Sequence, residues 1–539
     1  MLTTAIISPE IGRSIREVID RRGVADAQRP FLIAPDDGVN LNYGELRSAA
    51  RAFAHRLQST YAVGKGDHVG LFLPNGANFV VAYLGAMYLG AVACPVNTQL
   101  QDPEIEYIVA RARIKLLCAP QEWTARLRGI LVKIPCHCIV VPAEELCAGL
   151  QQDSNLPADA PAPALPPSNA DDIAQIVHTS GSTGRPKGVM LTHRNLLLDS
   201  AYIVEWHRLS CDDRALCILP LFHTNAEVLS VLCSLYVGGS VVVPSQFHAS
   251  QFWSLAKMHA VTWCSAAPTI FYILLRRREQ AGSSEDTGHR LRFFISGTSA
   301  LPVGLMRDFE RAFGTIILEG YGLTETVCRV AFNPHPPAAQ RRPGEDDGYR
   351  KLGSVGKPIG DAEIAIVDDA DRPLAQGERG EIVLRGSVLM KGYFDNAAAT
   401  DEAFKGGWFH TGDIGYLDAE GYLYIIDRKK DLIIRGGQNI YPREVDNVLV
   451  LHPAVAEAAV IGIADEKYGE EVKAYVVRKA GASVSPEEII GFCREHLAAY
   501  KCPKSVAFID AIPKGPTGKL LRAQLARFER QLSHEESKA

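Results

Sequence analysis

Short apolar runs alternate with segments of helical periodicity along most of the chain. Residues Asp67 to Leu73 (DHVGLFL) read as a strand, Asn78 to Leu89 as a helix and Ala91 to Pro95 as the next strand. Repetition of that unit predicts α/β layers in which helices cover largely parallel sheets. Ile173 to Val177 is a further apolar strand, and Ala454 to Ile463, Lys473 to Arg478 and Pro486 to Ala499 supply strand and helix patterns near the C-terminus. Two stretches break the pattern. Residues 156–169 (LPADAPAPALPPSN) are rich in proline, which neither continues a helix nor donates to a sheet, and read as an exposed crossing segment. Residues Asn333 to Lys351 mix prolines with both charge signs and read as a surface loop.

The charged run of DRKKDLIIRGG, Asp427 to Gly437, leads through apolar residues and two glycines into a new helical pattern. It marks the domain boundary: a large N-terminal domain at 1–427, a hinge region at 428–436 and a small C-terminal domain at 437–539. The predicted fold class is α/β, with layered sheets and helices followed by a small, mobile α+β domain.

Composition narrows the function classes. The 539 residues, 47% hydrophobic and 22% charged, match a globular protein with more than one core. A net charge of −5 from 57 basic and 62 acidic residues gives no footprint for nucleic acid. The 12 cysteines are scattered, and Cys136 and Cys138 lack a second ligand pair at zinc-site spacing, so reduced thiols in a cytoplasmic protein are expected. Met1 to Glu10 has no signal-peptide pattern, and Val228 to Pro244 is too short to span a bilayer, so no membrane span is expected. The ending Ser537-Lys538-Ala539 matches a peroxisomal address only loosely.

Chemistry concentrates in four segments. His178 to Gly188 (HTSGSTGRPKG) follows an apolar strand and sets hydroxyls and glycines beside Lys187, a composition whose backbone N–H groups can face phosphate oxygens. It is not a Walker loop, because Arg185 and Pro186 separate Gly184 from Lys187. Alone, it fits a flexible loop equally well. Tyr321 to Thr326 (YGLTET) places a ring, a glycine, a hydroxyl and a carboxylate in one turn, suited to a base, a phosphate and a divalent cation. Trp408 to Asp413 (WFHTGD) ends on a carboxylate able to accept from two ribose hydroxyls. Pro513 to Leu520 (PKGPTGKL) presents Lys519 on a turn. Each of these last three, alone, is an ordinary surface turn.

Together, in this order and with DRKKDLIIRGGQNIYPREVD between the last two, the segments resemble the adenylate-forming superfamily of acyl-CoA synthetases, luciferases and peptide-synthetase adenylation domains, from about Leu41 to Arg522. The resemblance implies ATP-dependent activation of a carboxylic acid to acyl-AMP with release of pyrophosphate, then transfer to coenzyme A, with Mg²⁺ as the ion. By it, Thr179, Ser180, Gly181, Ser182, Thr183, Gly184 and Lys187 surround the β and γ phosphates. Thr324 contacts the α phosphate and Glu325 holds Mg²⁺; Tyr321, with Gly322, stacks on adenine opposite Gly297, Thr298 and Ser299. Asp413 and Arg428 hold the ribose, and Lys519 bridges the acid and the α phosphate, a cation where charge shifts. Lys430 is the hinge about which the small domain turns between half-reactions. Gly436 and Gly437 let pantetheine approach the backbone, although an ordinary turn glycine is the plain reading. His223, with Thr224, takes the place of the aromatic gate beside the acyl pocket, and no general base is required of it because the acid is already ionised. Asp427 stands where many members have glycine.

The acid itself is less legible. The Phe247 to Ile270 segment resembles acyl-CoA synthetases, and the expected substrate is a fatty or other organic acid. Ser265, Ala266 and Ala267 either leave room for an acyl chain or permit close packing. Glu227 weakens the case against an amino acid. Arg329 is a candidate partner for a second carboxylate, against the ordinary outcome of an exposed arginine. A carrier-protein thiol in place of coenzyme A, and a silent nucleotide-binding protein, are the alternatives.

Overall fold

The structure is a computed structural model that describes residues 13–132, 138–147, 164–179, 186–281, 289–297, 299–515 and 520–536. Its packing forms two compact units, Met1–Glu363 with Arg385–Phe409, and Ile364–Leu384 with His410–Ala539.

Two large sheets fill the first unit, one of nine strands and one of seven. In the nine-stranded sheet, strands Ile316–Tyr321, Phe293–Ser296, Trp263–Ser265, Arg214–Cys217, Ser240–Val242 and Pro30–Ala34 run parallel in that spatial order. Antiparallel pairs close its edges. The seven-stranded sheet has a parallel centre, where His68–Leu71 lies between Val92–Pro95 and Leu116–Ala119. The strand, helix and strand read from residues 67–95 are therefore present, as His68–Leu71, Ala77–Leu89 and Val92–Pro95. Twelve of the residues in Ala77–Leu89 are buried, so this helix is covered on all sides, as its unbroken apolar sequence requires.

The exposed run Pro337–Gln340 agrees with a surface loop, but the ends of that stretch do not, since Asn333 and Arg350 are buried. Arg350 is held by Glu310 at 2.5 Å and Asp347 at 2.7 Å, with Arg350 and Glu310 both fully excluded from solvent. Glu310 also accepts from the backbone N–H groups of Ile317 and Gly344, both at 2.7 Å, so the loop is pinned to the sheet by a satisfied buried charge pair. The proline-rich crossing segment falls largely outside the described residues.

In the second unit, Glu363–Val367, Gly380–Arg385, Phe409–Leu417 and Leu423–Arg428 form a four-stranded sheet. A five-stranded sheet is built on the long antiparallel pair Val455–Asp465 and Gly469–Arg478. Helix Pro486–His496 begins with a capping box in which Ser485 and Glu488 exchange hydrogen bonds. Compact packing thus groups residues 364–384 and 410–427 with the C-terminal segment rather than ending at 427. One reason is local: the Arg443 N–H donates to Asp427 at 2.7 Å, and the Arg379 guanidinium lies over the Tyr441 ring.

Candidate active site

In the first unit, strands Ile173–Thr179 and Lys187–Thr192 pair antiparallel, with Thr179 opposite Lys187. Ser180, Gly181, Ser182, Thr183 and Gly184 lie outside the described residues, as does Thr298. At the start of the second strand, the Lys187 ammonium lies 4.8 Å from the centroid of the Tyr393 ring. The Tyr393 hydroxyl donates to Glu325 Oε1 at 3.0 Å. Burial, with Glu325 beside it, pushes that phenol above its ordinary range, so it acts as a donor throughout the physiological range.

This juxtaposition has a local origin. Thr192 caps helix His193–His207 by accepting from the Asn195 N–H. The Asn195 amide then donates to the carbonyls of Ser387 and Leu389, at 2.9 and 3.0 Å. That fixes the segment from which Met390 N–H reaches the Glu325 carbonyl at 2.8 Å and Tyr393 reaches its carboxylate.

Thr324 and Glu325 sit in a single helical turn, Thr324–Thr326, which follows the buried Tyr321 at the carboxyl end of its strand. The turn is closed by the Leu323 N–H donating to Thr326 Oγ1 at 2.8 Å. Val327 then adopts a φ of +63°, a conformation costing about 1–3 kcal/mol for a β-branched residue. The chain thereby doubles back and lays Cys328 and Arg329 against Gly322, where a Cβ would fall 2.1 Å from the Cys328 carbonyl. Gly297 is required by a similar approach, its missing Cβ lying 2.3 Å from the Gly320 carbonyl and 2.9 Å from Arg329 Nη2.

His223 packs against Phe222, and burial lowers its imidazole to about 4, leaving it neutral at pH 7. Thr224 is buried beside it and precedes a π-helix, Asn225–Leu232. Within that helix Glu227 is fully buried and accepts from Gln175, which in turn accepts from Tyr83 at 3.0 Å. Desolvation raises the Glu227 carboxyl to about 8, so it is protonated at neutral pH and supplies no fixed negative charge for an amine.

In the second unit, Asp413 is buried and pairs with Arg428 at 2.8 Å across the strands Phe409–Leu417 and Leu423–Arg428. Lys430 is exposed, while its neighbour Lys429 pairs with Asp369 and Glu381 at 3.0 and 3.1 Å. Gly436 and Gly437 form the two-residue turn between Ile433–Arg435 and Gln438–Ile440, with φ of +55° and +80°. Positive φ at both central residues is the hairpin turn that favours glycine, and it accounts for the pair without a ligand. A Cβ at Gly437 would meet nothing within 4 Å. Lys519 lies outside the described residues.

A family model described as AMP-binding enzyme matches residues 19–394, and one described as AMP-binding enzyme C-terminal domain matches residues 444–519. The chain belongs to the AMP-binding enzyme family. It is 38% identical over 525 residues to a sulfoacetate–CoA ligase of Cupriavidus necator, covering 96% of this chain and 98% of that protein. It is 36% identical to an oxalate–CoA ligase of Arabidopsis thaliana, over 90% of this chain and 93% of that one. The crystal structure of ATP-bound MatB from Rhodopseudomonas palustris superposes with a TM-score of 0.85 at 27% identity, over 96% of this chain and 99% of that one. As an AMP-binding enzyme the chain is an ATP-dependent ligase that joins an organic acid to coenzyme A, and its mixed α/β fold is the one expected.

For this AMP-binding enzyme two sequence expectations about the acyl region change. Arg329 is not exposed but 4% accessible. Ala266 belongs to the hydrophobic core, and the Ser265 hydroxyl is committed to Asn225 at 2.8 Å, so these small residues serve packing. Tyr393 is a neighbour of Glu325 that the sequence does not announce. Its partner is 68 positions away in sequence, and a lone tyrosine in LMKGYFDN carries no local signal of that contact.

Proposed function

We propose that this acid–CoA ligase holds the reacting phosphates of ATP against Lys187, Thr324 and Glu325, and that Thr179 and Ser180 to Gly184 complete the phosphate loop. The observation that carries the reading is the Lys187–Tyr393–Glu325 contact, which assembles a cation, a hydroxyl donor and a carboxylate from three distant segments. Concentrated phosphate charge calls for that mixture of donors and metal-binding oxygen. The residues fit Mg²⁺: Glu325 Oε2 makes no hydrogen bond among the described residues, and one carboxylate beside substrate phosphates is this ion's usual arrangement. When bound, the ion neutralises charge on the phosphates.

In this reading Tyr321, Gly322, Gly297, Thr298 and Ser299 flank adenine, and Asp413 with Arg428 takes the ribose. A carboxylate oxygen of the acid bonds to the α phosphorus as pyrophosphate leaves, with Lys519 offsetting the negative charge in that transition state. The small domain then turns about Lys430, and the coenzyme A sulfur bonds to the acyl carbon as AMP leaves. Gly436 and Gly437 line the approach of pantetheine, and His223 and Thr224 border the acid.

The acids named for the two relatives, sulfoacetate and oxalate, are short, which favours a short acid over a long-chain one here. A cytoplasmic setting belongs to this reading because the 12 cysteines are scattered without the spacing of a disulfide framework. No helix among the described residues is long and apolar enough to cross a membrane.

The test is mass spectrometry of the protein incubated with ATP, Mg²⁺, coenzyme A and a panel of short, fatty, aromatic and amino acids, repeated with Lys519→Ala. Acyl-CoA and AMP are expected from the parent protein. The variant should lose adenylation yet still convert supplied acyl-AMP to thioester. Acyl-AMP without thioester would replace coenzyme A by a carrier protein, and nucleotide binding without any product would replace the enzyme by a silent binder.

A further inference from the structure

Along the carboxyl ends of three adjacent parallel strands, Trp263–Ser265, Phe293–Ser296 and Ile316–Tyr321, buried polar atoms collect without partners. Asn225, tied to Ser265, leaves Nδ2 unpaired; Ser296 leaves Oγ unpaired. Arg329, whose guanidinium lies against Gly297, leaves both Nε and Nη2 unpaired. The one hydrogen bond of the guanidinium among the described residues runs from Nη1 to the carbonyl of Cys328 at 2.8 Å.

Native interiors rarely leave such atoms unmatched, and a row of them at the carboxyl edge of a parallel sheet is where ligands bind. Three of the four are N–H donors, so the missing partner is rich in acceptors. A buried guanidinium without an ion pair calls further for an anion. Asp199 is a protein candidate, being fully buried and within electrostatic reach. Burial pushes its carboxyl well above the ordinary range against the opposing pull of the Arg329 guanidinium and of the Arg329 and Cys328 backbone N–H groups, and no ion pair joins the two side chains among the described residues.

We propose that Arg329 is the specificity-determining residue of the acyl site and binds the second anionic group, carboxylate or sulfonate, of a short dianionic acid. The inference rests on the acid–CoA ligase reading and adds the substrate class. The reacting carboxylate cannot be the partner that satisfies Arg329 throughout, because it loses its charge on adenylation. A second anion keeps its charge through both half-reactions and leaves the guanidinium paired at every stage. Arg329 stands four residues beyond Glu325, so one end of the acid lies at the phosphates while the other is read at the strand ends.

The experiment measures kcat/KM for length-matched pairs, sulfoacetate and malonate against propionate, and succinate against butyrate, with the parent protein, Arg329→Gln and Arg329→Lys. The parent protein should prefer the dianionic member by about 100-fold or more, since a site built around buried donors rejects an analogue lacking their partner. Arg329→Gln should collapse that ratio, chiefly through KM for the dianion, and Arg329→Lys should restore part of it. Thioester formed equally well or better from the monoanions leaves the ligase reading standing and overturns the inference. An equal loss for both members in Arg329→Gln, unrelieved by lysine, also overturns it, by making Arg329 a structural partner of Asp199. No thioester from any acid overturns both readings.

Discussion

The Tyr393 hydroxyl donates to Glu325 Oε1 at 3.0 Å while the ring of the same tyrosine faces the Lys187 ammonium. One side chain therefore orients both charged groups assigned to the phosphates. Tyr393→Phe keeps the ring and its contact with Lys187 but frees the carboxylate. A hydrogen bond to a charged group contributes roughly 1.5–3 kcal/mol. The expected effect is a roughly tenfold or larger loss in kcat/KM for MgATP, with a higher Mg²⁺ requirement and little change in melting temperature. An unchanged Mg²⁺ requirement would detach Tyr393 from the metal role proposed for Glu325.

The two glycines of the Arg435 to Gln438 turn separate a folding role from a coenzyme A role. Their positive φ values already require glycine, and an alanine at Gly437 meets no neighbouring atom. Gly437→Ala should cost about 1 kcal/mol in stability through its left-handed backbone. If pantetheine passes here, the variant should also slow thioester formation from supplied acyl-AMP while leaving pyrophosphate release unchanged. Equal rates in both half-reactions would leave the glycines with the turn alone.

Much of this was legible in the chain, for reasons that differ by level. The strand, helix and strand of residues 67–95 are visible because each is local and their apolar periods differ. The segments proposed to bind phosphate are visible because their glycines, hydroxyls and charges are contiguous. What sequence hides is pairing at a distance: Tyr393 with Glu325, Gln175 with Glu227, and Arg350 with Glu310 are separated by 68, 52 and 40 positions. Burial of a charged residue is hidden for the same cause. Arg329 and Arg350 read as surface arginines because the elements that cover them lie elsewhere in the chain, and Val327's positive φ, which turns Arg329 inward, has no glycine to announce it.

The Glu310–Arg350 pair shows what that hidden burial is worth. Both side chains are fully excluded from solvent, and Glu310 accepts from two backbone N–H groups besides the guanidinium. Arg350→Met leaves a buried carboxylate without its cation and should destabilise the first unit by about 3–5 kcal/mol. The double variant Glu310→Gln/Arg350→Met removes both charges of this pair and should recover part of that loss, Asp347 still lacking its cation. Denaturant unfolding of the four species gives the coupling, and additive effects would show that the pair does not act as one unit.

Glu227 provides a test through pH. Its carboxyl, fully buried and hydrogen-bonded by Gln175, is raised from 4.5 to about 8 by desolvation. The native state therefore holds a proton between those values that the unfolded chain releases, and stability from this group falls as pH rises. Its contribution is complete below the unfolded value and is lost as pH passes through about 8. Glu227→Gln keeps the volume and the acceptor for Gln175 but cannot ionise. The variant should match the parent at pH 5 and exceed it by on the order of 1 kcal/mol or more at pH 8. Melting temperatures across pH 5 to 9 would show the two curves separating toward the alkaline end. Parallel curves would mean that Glu227 is ionised in the native protein, and would restore a buried negative charge beside the acyl region.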